Sequence, residues 1–179
     1  MSKIGRKPID LKGVKIRVEN NNVHYDGAKV AGIYELPPVL EAEVLDGKMK
    51  LTCVDKSPEN NRLWGLHRAL LANKIEGAGV GFAQKVIITG LGFKGILSGN
   101  KIDFSLGYSH KINFPIPDGI TIEIDKTGQN IVVKGYDKEL VGHVCSTMKA
   151  LRPTEPYKGT GIKLEQEFVL RKAGKTKSA

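Results

Sequence analysis

Hydrophobic and polar positions alternate strictly near the start of the chain: Val14, Ile16 and Val18 are interleaved with Lys15, Arg17 and Glu19. A period of two places the first set on one face of a pleated strand and the second on the other. The run Asn20-Asn21-Asn22 then predicts a turn, and "VHYDG" a return strand. "AEVLDGKMKLTCV" reads as a second hairpin turned at Asp46-Gly47, a dipeptide that tolerates the positive φ of a tight turn. The period then changes. Ser57, Pro58 and Glu59 make a helix start: a hydroxyl to accept a free amide, a ring with φ already set, and an acid at the positive end. Leu63, Trp64, Leu66, Leu70 and Leu71 fall on one broad helical face, and Gly77 is placed to end the helix.

The same order recurs beyond a glycine-rich junction, "EGAGVGFAQ". "QKVIITG", "KIDFSLG", "HKINFPI", "ITIEID" and "NIVVKG" read as strands, with Ile102, Phe104 and Leu106 alternating against Lys101, Asp103 and Ser105. Asp137 caps a helix through Leu151, whose Leu140, Val144, Met148 and Leu151 form one apolar stripe; Pro153 stops it. Strands followed by a helix, twice, predict an α+β fold of two similar domains, 1–82 and 83–179. Each is a small, mainly antiparallel sheet packed against one helix, and the pair is read as an internal duplication. Both helices carry a glycine after two apolar residues, Leu63-Trp64-Gly65 and Leu140-Val141-Gly142. A glycine inside a helix costs about 1 kcal/mol relative to alanine, so the repeat predicts that each lets its helix lie close on a sheet.

Charge directs this fold toward a partner. There are 28 lysines and arginines against 19 acids, a net charge of +9. That excess favours a polyanion, either nucleic acid or an anionic membrane surface. It is uneven: residues 1–82 hold 13 cations and 10 acids, residues 83–179 hold 15 and 9. Both ends are basic, with Lys3, Arg6 and Lys7 at the front, and Arg171, Lys172, Lys175 and Lys177 after the last acid, Glu167. The apolar stretches are short and cut by glycine, so no transmembrane helix is predicted. Two distant cysteines, Cys53 and Cys145, make no disulfide framework, and "MSKIGRKPI" has no apolar leader segment. The expected compartment is the reducing cytoplasm.

"GLGFKG", from Gly90 to Gly95, matches the dinucleotide fingerprint G-x-G-x-x-G and follows a strand. The fingerprint must also open a helix whose N-terminus receives the pyrophosphate. Here a hairpin turning at Gly99-Asn100 follows instead, so tight β geometry is the expected use of these glycines. None of His24, His67, His110 and His143 has a partner at metal-ligand spacing. No nucleophile motif or distinguished carboxylate pair occurs. The expectation is a protein without catalytic residues, cofactor, metal or small-molecule substrate.

Two segments carry binding chemistry. "LGYSHKINFPIP" gathers Tyr108, His110 and Lys111 at a strand end, an edge suited to stacking and phosphate contact. "RPTEPYKGTGIKLEQEF" holds Pro153, Pro156, Gly159 and Gly161 among Arg152, Tyr157, Lys158 and Lys163. Neither a helix nor a central strand accepts that density of breakers, so a stiff loop is predicted. Amides turned outward at the two glycines would make an anion-binding concavity, with the lysines adding charge and Tyr157 a flat apolar face. Thr160 and, on the glycine-rich hairpin, Lys94 complete the candidate RNA-binding set with the basic ends.

Taken in order, "MSKIGRKPI", "GVKIRV", "LGYSH", "GYDKELVG", "RPTEPYKGTGI" and "RKAGK" span essentially the whole chain, and it resembles the bacterial-type ribosomal protein L6 family. The resemblance implies two α+β domains and binding to large-subunit ribosomal RNA, mainly through the C-terminal domain. It further implies neighbouring ribosomal proteins as partners, and a position in the factor-binding region near the sarcin–ricin loop, with translation factors close by. It carries RNA contact onto Tyr157, Lys158, Gly159 and Gly161. The family pattern reads P-Y-K-G-K-G where this chain has Thr160, so one phosphate contact would be weaker or made by a hydroxyl.

Overall fold

The computed structural model describes residues 2–45, 47–55 and 57–175. Two compact units emerge: Met1–Phe82 with Tyr136–Lys138, and Ala83–Gly135 with Glu139–Ala179.

Unit 1 contains β1 (Ile9–Asp10), β2 (Lys15–Glu19), β3 (Asn22–Asp26), β4 (Ala31–Glu35), β5 (Leu40–Leu45), β6 (Lys48–Cys53) and α1 (Pro58–Gly79). β2, β3 and β4 form an antiparallel meander, and β1, β6 and β5 a second three-stranded sheet. The alternation read at β2 pairs Ile16 with Tyr25 and Val18 with Val23. Val14, Val23, Met49 and Leu51 join Leu71, Ile75 and Ala78 of α1 in the core. The Trp64 indole packs against this cluster and donates to the Leu51 carbonyl at 3.0 Å. As expected, the Ser57 hydroxyl caps α1, accepting from the Asn60 amide at 3.2 Å.

The predicted helix face is corrected. Leu63, Leu66 and Leu70 are exposed by 37%, 52% and 39%, whereas Leu71 and Ile75 are buried. Leucines on several sides left the period ambiguous, and the packed face decided: Trp64 and His67 of the N-terminal half meet Leu51 and Tyr34 on the strands, while Leu63, Leu66 and Leu70 lie off that face. The helix also passes Gly77, where a Cβ would stand 2.0 Å from the Tyr136 carbonyl oxygen; this glycine serves close approach, not termination.

Unit 2 repeats the plan. β7 (Phe82–Thr89), the meander β8 (Lys94–Ser98), β9 (Lys101–Ser105) and β10 (Ile112–Pro115), the hairpin β11 (Ile120–Ile124) and β12 (Asn130–Gly135), and α2 (Lys138–Leu151) follow one another. The order β1-β6-β5 of unit 1 reappears as β7-β12-β11, and β2-β3-β4 as β8-β9-β10. Same elements in the same order with the same sheet neighbours are the mark of an internal duplication. The addition is β13 (Gly161–Leu164), antiparallel to β7 with Ile162 opposite Ile88. Four residues of the segment read as a loop, Gly161–Leu164, are thus an edge strand, a place where a preceding proline-rich stretch is tolerated.

Val141, Val144, Cys145 and Met148 are the buried face of α2, so the predicted stripe is displaced and shares Val144 and Met148. The paired mid-helix glycines do not approach a sheet: Gly142 has open space where a Cβ would be, and Gly65 meets Ser2. Cys145 is fully buried, and burial pushes its thiol up to about 11. Among the described residues, no helix is long and apolar enough to cross a membrane.

Candidate nucleic-acid interface

Two groups of predicted residues assemble in unit 2. The first forms where the "GLGFKG" turn meets the end of α2. Gly90 and Gly92 have φ of 153° and 75°, and the Phe93 amide donates back to the Gly90 carbonyl at 3.3 Å. The turn is β geometry, leading into β8 rather than a helix. It presents Phe93 to Gly107, where a Cβ would lie 2.8 Å from the ring. Arg152, the residue after α2, sets its guanidinium 6.0 Å from the Phe93 centroid and 4.9 Å from that of Tyr108. The Tyr108 hydroxyl donates to the Leu151 carbonyl at 3.0 Å, satisfying one of the acceptors that a helix end leaves open. His110 lies beyond, its ring 25° from parallel with Tyr108 at 6.4 Å. Lys94 and Lys111 are exposed.

Tyr108, 42% exposed, is a partly engaged member of the predicted stacking edge. Its hydroxyl is engaged, and a cation covers one ring face, a contact with its own attraction. Phe93 was not singled out in the sequence. The available signal was a lone aromatic inside a glycine-rich turn, but its partners lie in two distant segments.

The second group is the loop between α2 and β13 with the chain that returns over it. Glu155 and Thr160 close the loop: the Glu155 amide donates to the Thr160 carbonyl at 2.9 Å, and the Thr160 hydroxyl donates to the Glu155 carboxylate at 3.2 Å. Gly159, at φ +71°, donates its amide to the Glu155 carbonyl at 3.0 Å. Gly159 and Gly161 are both buried. A Cβ on Gly159 would stand 2.9 Å from the Arg171 guanidinium, and one on Gly161, at φ +135°, 2.6 Å from the Pro153 carbonyl oxygen. The expected outward concavity of amides is therefore not formed; these glycines let the loop fold onto its own chain. Tyr157, 56% exposed, and Lys158 point outward.

The basic tail joins this loop. The Lys172 amide donates to the Pro156 carbonyl at 2.9 Å. Lys163, on β13, lines a cavity of about 190 Å³ with Gly159, Glu167 and Arg171. Glu167 anchors the returning segment through Lys149 at 2.5 Å. That hydrogen bond is the main cause that holds its carboxyl below the ordinary glutamate value. Lys175 is exposed, and Lys177 lies outside the described residues. Lys3, Arg6 and Lys7 are exposed on unit 1, where the Arg68 guanidinium donates to the Lys7 and Pro8 carbonyls at 3.0 and 2.8 Å. The predicted set thus comprises two groups on one unit and a basic segment on the other.

The sequence profile of the family described as ribosomal protein L6 matches residues 80–164. A large ribosomal subunit protein uL6 from Helicobacter hepaticus is 38% identical over 177 residues, covering 98% of each chain. The one from an Anaeromyxobacter species is 39% identical over 180 residues and 100% of both chains. That of Nitratidesulfovibrio vulgaris is 41% identical over 177 residues, again 98% of each.

Proposed function

Since the chain belongs to the ribosomal protein L6 family and is, with it, a structural constituent of the large ribosomal subunit and not an enzyme, we propose that unit 2 is its grip on large-subunit ribosomal RNA. Its compartment is that of the bacterial ribosome, the cytoplasm. The observation that carries the reading is the junction of loop and tail. One hydrogen bond, Lys172 to Pro156, holds exposed Tyr157 and Lys158 beside Arg171 and Lys172. Cations supply phosphate contacts and the aromatic an apolar surface for a sugar or base. Because β13 is paired to β7 and the tail is hydrogen-bonded back to the loop, less chain entropy is lost on binding.

In this reading the protein clamps separate RNA helices during assembly and keeps the factor-binding region near the sarcin–ricin loop in shape, with translation factors passing close by. The functional boundary is residue 82 to 83, with recognition concentrated in 83–179. Lys3, Arg6 and Lys7 add an auxiliary basic contact from unit 1.

The test is binding of the purified full chain to deprotected, protein-free large-subunit RNA across a salt series. Phosphate contacts release counterions, so the affinity should fall linearly on a logarithmic scale, with a slope of about −0.7 to −0.9 per contact. Absence of binding at low salt, or binding indifferent to salt, would overturn the proposal.

A further inference from the structure

The first group of unit 2 gathers Phe93, Arg152, Tyr108 and His110 into one cluster. Arg152 closes one face of Tyr108 at 4.9 Å. His110 lies near-parallel to the same ring, 25° away in orientation and 6.4 Å between centroids. The other members are fixed from several sides. Phe93 flanks Arg152 at 6.0 Å, Gly107 leaves room for the Phe93 ring, and the Tyr108 hydroxyl is held by the end of α2. His110 is an exposed member of this cluster.

The duplication supplies an internal control. The β9–β10 connection that carries Tyr108 and His110 corresponds to the β3–β4 connection of unit 1, residues 27–30. That connection reads Gly-Ala-Lys-Val, with neither an aromatic nor a histidine. The fold closes the same meander without such a cluster, so Tyr108 and His110 are not required by the architecture.

We propose that His110 is a stacking platform for an unpaired nucleobase of large-subunit RNA, its exposed ring held beside the Tyr108–Arg152 cluster. The proposal rests on the RNA-binding reading of unit 2. The ligand is a base splayed from a loop or bulge, because bases inside an A-form helix present no free face to a protein ring. Exposed Lys111, next in the chain, is positioned for the accompanying backbone phosphate. Stacking on a ring tolerates any base, so the platform contributes affinity and register rather than a sequence code.

The test uses the full chain and protein-free large-subunit RNA. His110→Ala should weaken binding about tenfold while leaving both the salt slope and the melting temperature of the free protein unchanged. His110→Phe should restore binding to near the wild-type level, since it keeps a flat ring and cannot contact phosphate through a nitrogen. The proposal is overturned if the wild type binds and His110→Ala binds equally well. It is also overturned if His110→Lys, with a steeper salt slope, restores binding and His110→Phe does not, because the contact is then to phosphate. Failure of the wild type itself to bind removes the RNA reading beneath it, an outcome distinct from the other two.

Discussion

His67 shows how one side chain can link the stability of unit 1 to pH. Its Nδ1 lies 2.9 Å from the Tyr34 hydroxyl, and the two rings meet edge-on at 69°. Burial holds the imidazole below its ordinary value, favouring the neutral form. In the unfolded chain a histidine titrates near 6.5. The folded protein therefore binds fewer protons between its lowered value and about 6.5. The resulting stabilisation is complete above that range and is lost as pH falls through it. Melting of the intact chain at pH 7.5 and at pH 5.5 should show a lower first transition at the acid end. His67→Phe should flatten that difference; a variant with the wild-type pH dependence would assign the effect elsewhere. Sequence inspection placed His67 on the helix but not its partner, because Tyr34 lies on β4, a strand not anticipated from the pattern.

Among the elements, legibility followed locality. The hairpins were readable because alternation and the turn residue lie within a few positions of each other, as at Gly99-Asn100, where Ser98 pairs with Lys101. The start of α1 was readable because its cap is local, but its buried face was not, since leucines surround it and only contacts with remote strands select among them. β13 was hidden for a third reason: its partner β7 is remote, and the prolines and glycines before it have the composition of a loop. The same contrast divides the candidate site. Lys158 and Tyr157 were visible as a local motif, whereas the contact of Phe93 with Arg152 exists only after folding. Gly161 is where element and site meet. Gly161→Val places a β-branched residue at φ +135° and a Cβ 2.6 Å from a carbonyl oxygen. We expect the edge strand to detach at a cost of about 1–3 kcal/mol. The melting point should drop together with RNA affinity, and amide exchange should quicken in β7. Lost affinity with unchanged stability and exchange would instead mean that the glycine faces the RNA directly.

At the scale of the whole molecule, two copies of one scaffold carry unequal charge. If binding is localised, where a cation sits should matter more than how many there are. Lys158 is exposed on the loop of unit 2, and Lys48 is exposed on the β5–β6 hairpin of unit 1, 3.8 Å from Asp10. Lys158→Ala should weaken RNA binding severalfold and reduce the salt slope by about one contact, 0.7 to 0.9. Lys48→Ala, removing the same formal charge, should leave both nearly unchanged. Equal losses would mean that the net charge of +9 acts diffusely and that the loop is not the grip.

The strand that distinguishes unit 2 also sets a schedule for its synthesis. Every sheet of unit 1 is complete once α1 has been made, but Ile88 of β7 waits for Ile162, 74 residues later. At roughly 5–20 residues per second, that interval is about 4–15 s. Throughout it, the apolar run Val86-Ile87-Ile88 borders an open edge, the kind that pairs with another chain. β13 thus acts as a late closure, and the nascent protein depends on reaching it. A chain ending at Thr160 should scatter light at concentrations where the whole chain stays clear, whereas one that remains clear would show that the edge is protected by other means. The strand next to the proposed RNA-binding loop would then have an earlier task, to close the edge of β7 before it can pair with another copy.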